Sequence, residues 1–279
     1  QKLQSSPVKQ FAEENGLLVL QPEKLRNEDF VNQLKELNAD IAVVVAFRML
    51  PESVWSLPKL GTFNLHASLL PQYRGAAPIN WAVINGEKKT GLTTFLLEKE
   101  IDTGNIIDQL EVEIGENETA GELHDKLMHL GGPMVVKTIQ KLVQGNFTPT
   151  PQTNLLIGEA KIASKIFKDT CKVNWNKPAT EVHNFIRGLS PYPAAWSEMV
   201  VSVDDAETII QVKIFKSLAI NQPINSDCGT IKTDGKKYLQ VTCQSGLVEI
   251  LTIQQAGKKA MPIDEFIRGW HNAKFLRMV

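Results

Sequence analysis

Ile41-Ala42-Val43-Val44-Val45-Ala46-Phe47 is an unbroken apolar run of strand length. Such a run fits a parallel strand covered on both faces, because a strand with one wet face would alternate. The flanking segments keep the same rhythm. Residues 7–15 read as a helix with Pro7 near its first turn, stopped by Gly16. Leu17-Leu18-Val19-Leu20 reads as a short buried strand. Glu28–Leu37 reads as an amphipathic helix with Phe30, Val31, Leu34 and Leu37 on one face. Further strands are expected at Gly61–His66, Thr90–Leu97 and Ile106–Ile114. A helix opens at Pro78 and ends near Asn85-Gly86. A long helix over Thr119–Val143 stacks Leu123, Leu127, Leu130 and Met134 on one face, with Gly131-Gly132 as a soft point, and ends at Gly145. This alternation predicts a doubly wound, Rossmann-like, mostly parallel α/β sheet.

The texture changes at Phe147-Thr148-Pro149-Thr150-Pro151-Gln152, which cannot continue a helix and reads as linker. Beyond it, Val182, Phe185, Ile186 and Leu189 mark a helix. Short strands follow at 194–201, 208–216, 229–233, 238–243 and 247–254, and Ile263, Phe266, Ile267 and Trp270 mark a closing helix. Five short strands with polar turns predict a small β-barrel of the oligonucleotide-binding (OB) type. The expected division is therefore 1–146, a linker over 147–160, and 161–279.

Hydrophobic residues at 43% and charged residues at 22% place the chain among soluble globular proteins, and no apolar run is long enough to span a membrane. Cys171, Cys228 and Cys243 are too few and too scattered for a disulfide framework or a metal knuckle. They read as small buried hydrophobes, in keeping with a reducing cytoplasm. His124, His129, His183 and His271 form no ligand cluster, and His124 and His129, five apart on a helix, read as solvated positions; no metal is expected. Charge is uneven: residues 1–150 carry 14 Lys and Arg against 19 Asp and Glu, whereas 151–279 carry 16 against 12, net +4. A basic second half points to a polyanionic partner.

The stretch from Phe63 to Pro78 is the most informative in the chain. Asn64 and His66, two apart in a strand, point to the same side, and the strand then breaks into Ser, Pro and Gly. Ligands of open α/β sheets bind at such carboxyl ends. An amide and an imidazole there can hydrogen-bond one small carbonyl, or can equally serve the loop backbone. Asp102, in the turn Glu98–Asn105, either bonds its own backbone or orients and polarises the His66 imidazole, with Gly104 allowing tight backbone.

The segments F-N-L-H-A-S-L-L-P-Q-Y-R-G-A-A-P-I-N-W from Phe63, T-G-L-T-T from Thr90 and I-D-T-G from Ile101 closely resemble the folate-dependent formyltransferases. The resemblance runs over nearly the whole chain. Within the group, R-G-A-A-P-I-N-W and the I-R-G-L-S-P-Y-P of 186–193 favour enzymes acting on methionyl-tRNA. It implies that Asn64, His66 and Asp102 are the catalytic trio, and that Ser68, Leu69, Leu70 and Pro71 form the loop that binds tetrahydrofolate. It also implies 10-formyltetrahydrofolate as formyl donor and the amino group of initiator methionyl-tRNA as acceptor. Residues 1–146 would be the catalytic domain and the OB-like 161–279 the tRNA-binding one. Lys2, Lys161, Lys165, Lys172, Arg187, Lys258 and Lys259 are the expected phosphate contacts, with Lys168, Lys213, Lys216, Lys236 and Lys237 also basic. A cytoplasmic monomer is expected. The family carries roughly one more strand-helix-strand unit before the position of Gln1, either absent from this protein or lying ahead of Gln1, and Lys2 would be the stub of its basic loop. Phe47-Arg48 stands where the family more often has Tyr-Gly, so pterin contacts there are expected to differ.

With that trio, Asn64 and a His66 N–H are expected to donate to the tetrahedral oxyanion while Asp102, directly or through water, handles the proton and its charge keeps His66 protonated. Two rival readings are a formyltransferase for an amino-sugar nucleotide or other small amine, and a non-catalytic RNA-binding protein with a decayed α/β domain. An NAD-linked enzyme would need a G-x-G-x-x-G, which the chain lacks.

Overall fold

The computed structural model describes residues 5–46, 48–270 and 272–279; Lys2, Phe47 and His271 lie outside them. The chain forms two compact units, 1–63 and 64–279.

In the first unit, α1 (Pro7–Glu14) opens on Ser6, whose hydroxyl accepts from the Lys9 N–H. Helix α2 (Glu28–Glu36) is capped by the Asn27 side chain, and Glu28 and Asp29 complement the positive end of its dipole. Strand β1 (Ala42–Val45) lies beside the segment leading into β2 (Thr62–His66), with the Ala42 N–H donating to the Gly61 carbonyl at 3.2 Å; α3 (Glu52–Trp55) falls between them in sequence. Two expectations fail here. Leu17–Leu20 forms no strand, and Leu17 and Leu18 are exposed: no ladder partner exists for it among the described residues, and apolar composition alone does not make a strand. Nor is β1 covered on both faces, since Val43 and Val45, which share one face, are both exposed.

In the second unit, β2 is followed by β3 (Arg74–Gly75), α4 (Pro78–Ile84), β4 (Lys89–Leu96), β5 (Ile106–Glu113) and α5 (Ala120–Gln144). Strands β2, β4 and β5 are neighbours in that order, and β4 and β5 pair antiparallel with Leu92 opposite Leu110. A capping box from Thr119 and Glu122 starts α5, and Gly145 in the left-handed region ends it. The buried stripe of α5 is Leu123, Leu127, Gly131, Met134, Thr138 and Leu142; Leu130 is exposed, one position off the stripe. Gly131 lets the helix settle close to β2, because a Cβ there would lie 2.9 Å from Leu65 Cδ2.

Strand β6 (Ile162–Ala163) runs parallel to β3. Helix α6 (Ala179–Leu189) packs on α4, with Asn80 Nδ2 donating to the Gly188 carbonyl at 2.8 Å. The barrel follows: β7 (Ala195–Val203), β8 (Ala206–Ile220), β9 (Ile231–Thr233), β10 (Leu239–Thr242), β11 (Leu247–Gln255), β12 (Met261–Pro262), α7 (Ile263–Arg268) and β13 (Lys274–Met278). The order β13-β7-β8-β11-β10-β9 is nearly closed by the Met278 N–H donating to the Gly229 carbonyl at 2.8 Å. Strand β13 was not expected; its Phe275 and Met278 are buried while Lys274 and Arg277 are exposed, too short an alternation to stand out. The fold class is the expected one, a parallel-rich α/β sheet followed by a nearly closed antiparallel barrel. No described helix is long and apolar enough to cross a membrane.

Candidate active site

His66 closes β2 and is 7% exposed. Its Nε2 sits 2.8 Å from the Tyr73 carbonyl. A carbonyl only accepts, so Nε2 carries the proton in the neutral ring, and Nδ1 holds the lone pair. Nδ1 faces the Asp102 carboxylate, 3.8 Å from Oδ2, and Phe95 meets the ring edge-on. Asn64, half-buried, shares the His66 side of the strand.

Tyr73 is itself held firmly. It sits at φ 61°, its N–H donates to the Lys161 carbonyl at 2.6 Å, and its hydroxyl donates to Glu87 and accepts from Asn85. Burial and the Glu87 hydrogen bond push the hydroxyl above its ordinary value. Burial would raise Glu87, but the hydrogen bonds from Lys161 and Tyr73 outweigh it and hold the carboxyl low. Tyr73 therefore stays a neutral donor to a charged acceptor.

Asp102 lies in the turn after β4, at φ 54°. Its Oδ2 accepts from the Gly75 N–H at 2.9 Å, and its carbonyl accepts from Gln152 Nε2 at 2.8 Å. Both glycines around it are obligatory on steric grounds. A Cβ on Gly104 would lie 1.7 Å from the Leu96 carbonyl oxygen, and one on Gly75, at φ 120°, would lie 2.5 Å from the Ala163 oxygen.

The Ser68–Pro71 loop is braced from the sheet. Thr93 Oγ1 donates to the Ser68 carbonyl and accepts from the Leu70 N–H and from Gln109 Nε2, which also donates to the Leu70 carbonyl at 2.8 Å. Ser68 is fully buried and its hydroxyl donates to the Gln72 carbonyl, so it fixes the loop's shape; Leu70 and Pro71 are buried, and Leu69 is the loop residue left half-exposed. Thr93, Gln109, Tyr73 and Gln152 were missed by sequence reasoning, since each acts through contacts distant in sequence.

Family models described as "Formyl transferase" and "Formyl transferase, C-terminal domain" match residues 1–139 and 165–271. The chain belongs to the formyl transferase family. It is 51% identical to a methionyl-tRNA formyltransferase of Bacteroides fragilis over 99% of this chain and 85% of that one. It is 53% identical to the protein of that description from Bacteroides thetaiotaomicron, over 96% and 83%. The crystal structure of an N-formyltransferase from Helicobacter canadensis, in complex with folinic acid and dTDP-3-aminofucose, superposes with TM-score 0.63 at 24% identity, covering 88% of this chain and 81% of that one, a likeness of fold.

The expected phosphate contacts of this formyl transferase are spread over several environments. Arg187 is 3% exposed, and its guanidinium donates to the Gly115 and Glu118 carbonyls and to Asn184. It is a buried strut and not a surface cation, because every phosphate contact would have to displace those partners. Lys161 pairs with Glu87, Lys172 pairs with Glu198 at 2.9 Å over the Trp196 ring, and Lys165 lies over the Phe167 ring. Lys258 and Lys259 are exposed in the turn between β11 and β12. Lys165, Lys168 and Lys213 share a groove of about 310 Å³ with Ala76, Ala77, Asn80 and the exposed Tyr192. His124 and His129 are exposed, His183 is buried, and no group of three or more His, Cys, Asp or Glu among the described residues is placed to hold a metal ion.

Proposed function

We propose that this formyl transferase moves the formyl group of 10-formyltetrahydrofolate onto the amino group of initiator methionyl-tRNA. One observation carries the chemistry: at the carboxyl end of β2, His66 is tied through Nε2 to Tyr73 while Nδ1 faces Asp102 at 3.8 Å. Because Nε2 is committed to Tyr73, Nδ1 of His66, in place of the Asp102 expected from sequence, accepts the proton that the attacking amine must lose as its nitrogen bonds to the formyl carbon. Asp102 balances the charge His66 acquires. Asn64 and the newly formed Nδ1–H donate to the oxyanion. The proton then passes to the folate N10 as its bond to the formyl carbon breaks, so atoms and charge balance. The site would be completed by Leu69 and the backbone of the Ser68–Pro71 loop against the folate.

The acceptor reading is supported by the relatives described as methionyl-tRNA formyltransferases at about 50% identity over nearly the whole chain. The groove carrying Lys165, Lys168 and Lys213 begins two residues after Arg74, and its three ammonium groups and exposed Tyr192 suit a nucleic-acid end. Residues 1–146 would hold the catalytic site and 161–279 the tRNA-binding surface, in a cytoplasmic monomer. The deciding test is formyl transfer to methionyl-tRNA against an amino-sugar nucleotide under identical conditions. Turnover with the tRNA at least ~100-fold faster supports the proposal, and preference for the sugar overturns it.

A further inference from the structure

We propose that Gln152 is a positioning residue for Asp102, one that sets the carboxylate against His66. Gln152 lies 50 residues from Asp102 in the chain, in a short turn after Pro151, and is 3% exposed. Its amide is saturated. Nε2 donates to the Asp102 carbonyl and to the Gly104 carbonyl, each at 2.8 Å. Oε1 accepts from Arg74 Nε at 3.0 Å and from Arg74 Nη2 at 2.6 Å. Two donors and two acceptor sites are all an amide has, and all are used.

Those partners are the two sides of the site. Asp102 and Gly104 belong to a turn outside any ladder, with Asp102 in the left-handed region. Arg74 precedes Gly75, whose N–H holds Asp102 Oδ2. Asp102 is thus fixed by one hydrogen bond on its carboxylate and one on its carbonyl, and Gln152 joins the second to β3. Residue 150 pins this segment in turn: Thr150 and Ile106 exchange N–H···O bonds at 2.9 Å in both directions. No other uncharged side chain of this size offers two N–H donors to carbonyls and an acceptor to a guanidinium together. A glutamate there would keep Arg74 but set its oxygens against two carbonyls, and a methionine would leave all four groups unpaired.

The inference rests on the reading of Asp102 as part of the catalytic machinery, and the test separates the two. Gln152→Glu, Gln152→Met, Asp102→Asn and the double variant Asp102→Asn/Gln152→Met would be made in the full chain. kcat, KM for 10-formyltetrahydrofolate and for methionyl-tRNA, and Tm would be measured on each. A misplaced reacting group costs on the order of 100-fold. The expected result is a kcat lowered about 10- to 100-fold in both Gln152 variants, with each KM within about twofold. The double variant is expected to be no slower than Asp102→Asn alone. Gln152→Glu, matched in size, carries the test if Gln152→Met loses its fold. Slow Asp102→Asn with fast Gln152 variants overturns the Gln152 inference only. Losses confined to KM or Tm, or losses that multiply in the double variant, overturn it too. Normal turnover by Asp102→Asn removes the catalytic reading on which it stands.

Discussion

The Nε2–H of His66 donates to the Tyr73 carbonyl 2.8 Å away, and this fixes which imidazole nitrogen is left for chemistry. Nδ1 is the nitrogen that faces Asp102, at 3.8 Å, and in the proposed mechanism it is the one that meets the reactants. A neutral His66 is thus an acceptor toward the site, and it donates to an oxyanion only after taking a proton. Heteronuclear NMR of histidine-labelled protein is expected to show the neutral Nε2–H tautomer for His66; an Nδ1–H tautomer contradicts the order of proton transfer drawn above.

Thr93 braces the Ser68–Pro71 loop through two hydrogen bonds of a fully buried hydroxyl, which accepts a third from Gln109 Nε2. Thr93→Val keeps the shape and leaves the Leu70 N–H and the Ser68 carbonyl unpaired. Stability is expected to fall by about 1–3 kcal/mol, the usual cost of stranding a buried polar group. Folate affinity should fall with it. Chemical denaturation and folate titration check both, and unchanged folate affinity would show that the loop's shape does not depend on this brace.

Gly104→Ala is expected to be far worse than its size implies. A methyl 1.7 Å from the Leu96 carbonyl oxygen forces the turn to move, and Asp102 moves with it. Steady-state assays should show kcat reduced by roughly 100-fold. Substitution at Gly132, where a Cβ meets nothing within 4 Å, is the matched control and should be near neutral in activity.

His183 is buried on α6, with Nδ1 paired to the Ser217 hydroxyl at 3.1 Å. Burial first, and the Arg187 charge second, push its imidazole below the ordinary 6.5, outweighing Glu116. The folded state therefore binds a proton less readily than the unfolded one. Its contribution to stability is complete above about pH 6.5 and is lost as pH falls below that value. Tm is expected to drop between pH 7 and 5 in the parent and to drop less in His183→Gln. Parallel curves would mean that His183 does not drive the acid loss.

The residues proposed to carry the chemistry are legible because they lie close together in sequence or in a marked turn. Asn64, His66 and the Ser68–Pro71 loop occupy eight consecutive positions, and Asp102 sits in a glycine-bearing turn between two recognisable strands. What holds them was not legible. Gln152 reads as part of a Pro- and Thr-rich connector, and only the fold carries its amide to Asp102. Tyr73 acts through its backbone carbonyl, which no side-chain pattern reveals. Arg187 reads as a surface cation in sequence, which shows charge and not burial, yet it is buried. Leu17–Leu20 shows the converse, an apolar run without a partner strand among the described residues.

Formyl transfer is proposed to run through His66 beside Asp102. The most direct measurement is the single-turnover rate of formyl transfer from 10-formyltetrahydrofolate to methionyl-tRNA by His66→Ala, with Tm as the folding control. Loss of a general base and oxyanion donor predicts a fall of roughly 100- to 10,000-fold with Tm little changed. A rate within a few-fold of the parent would contradict the account.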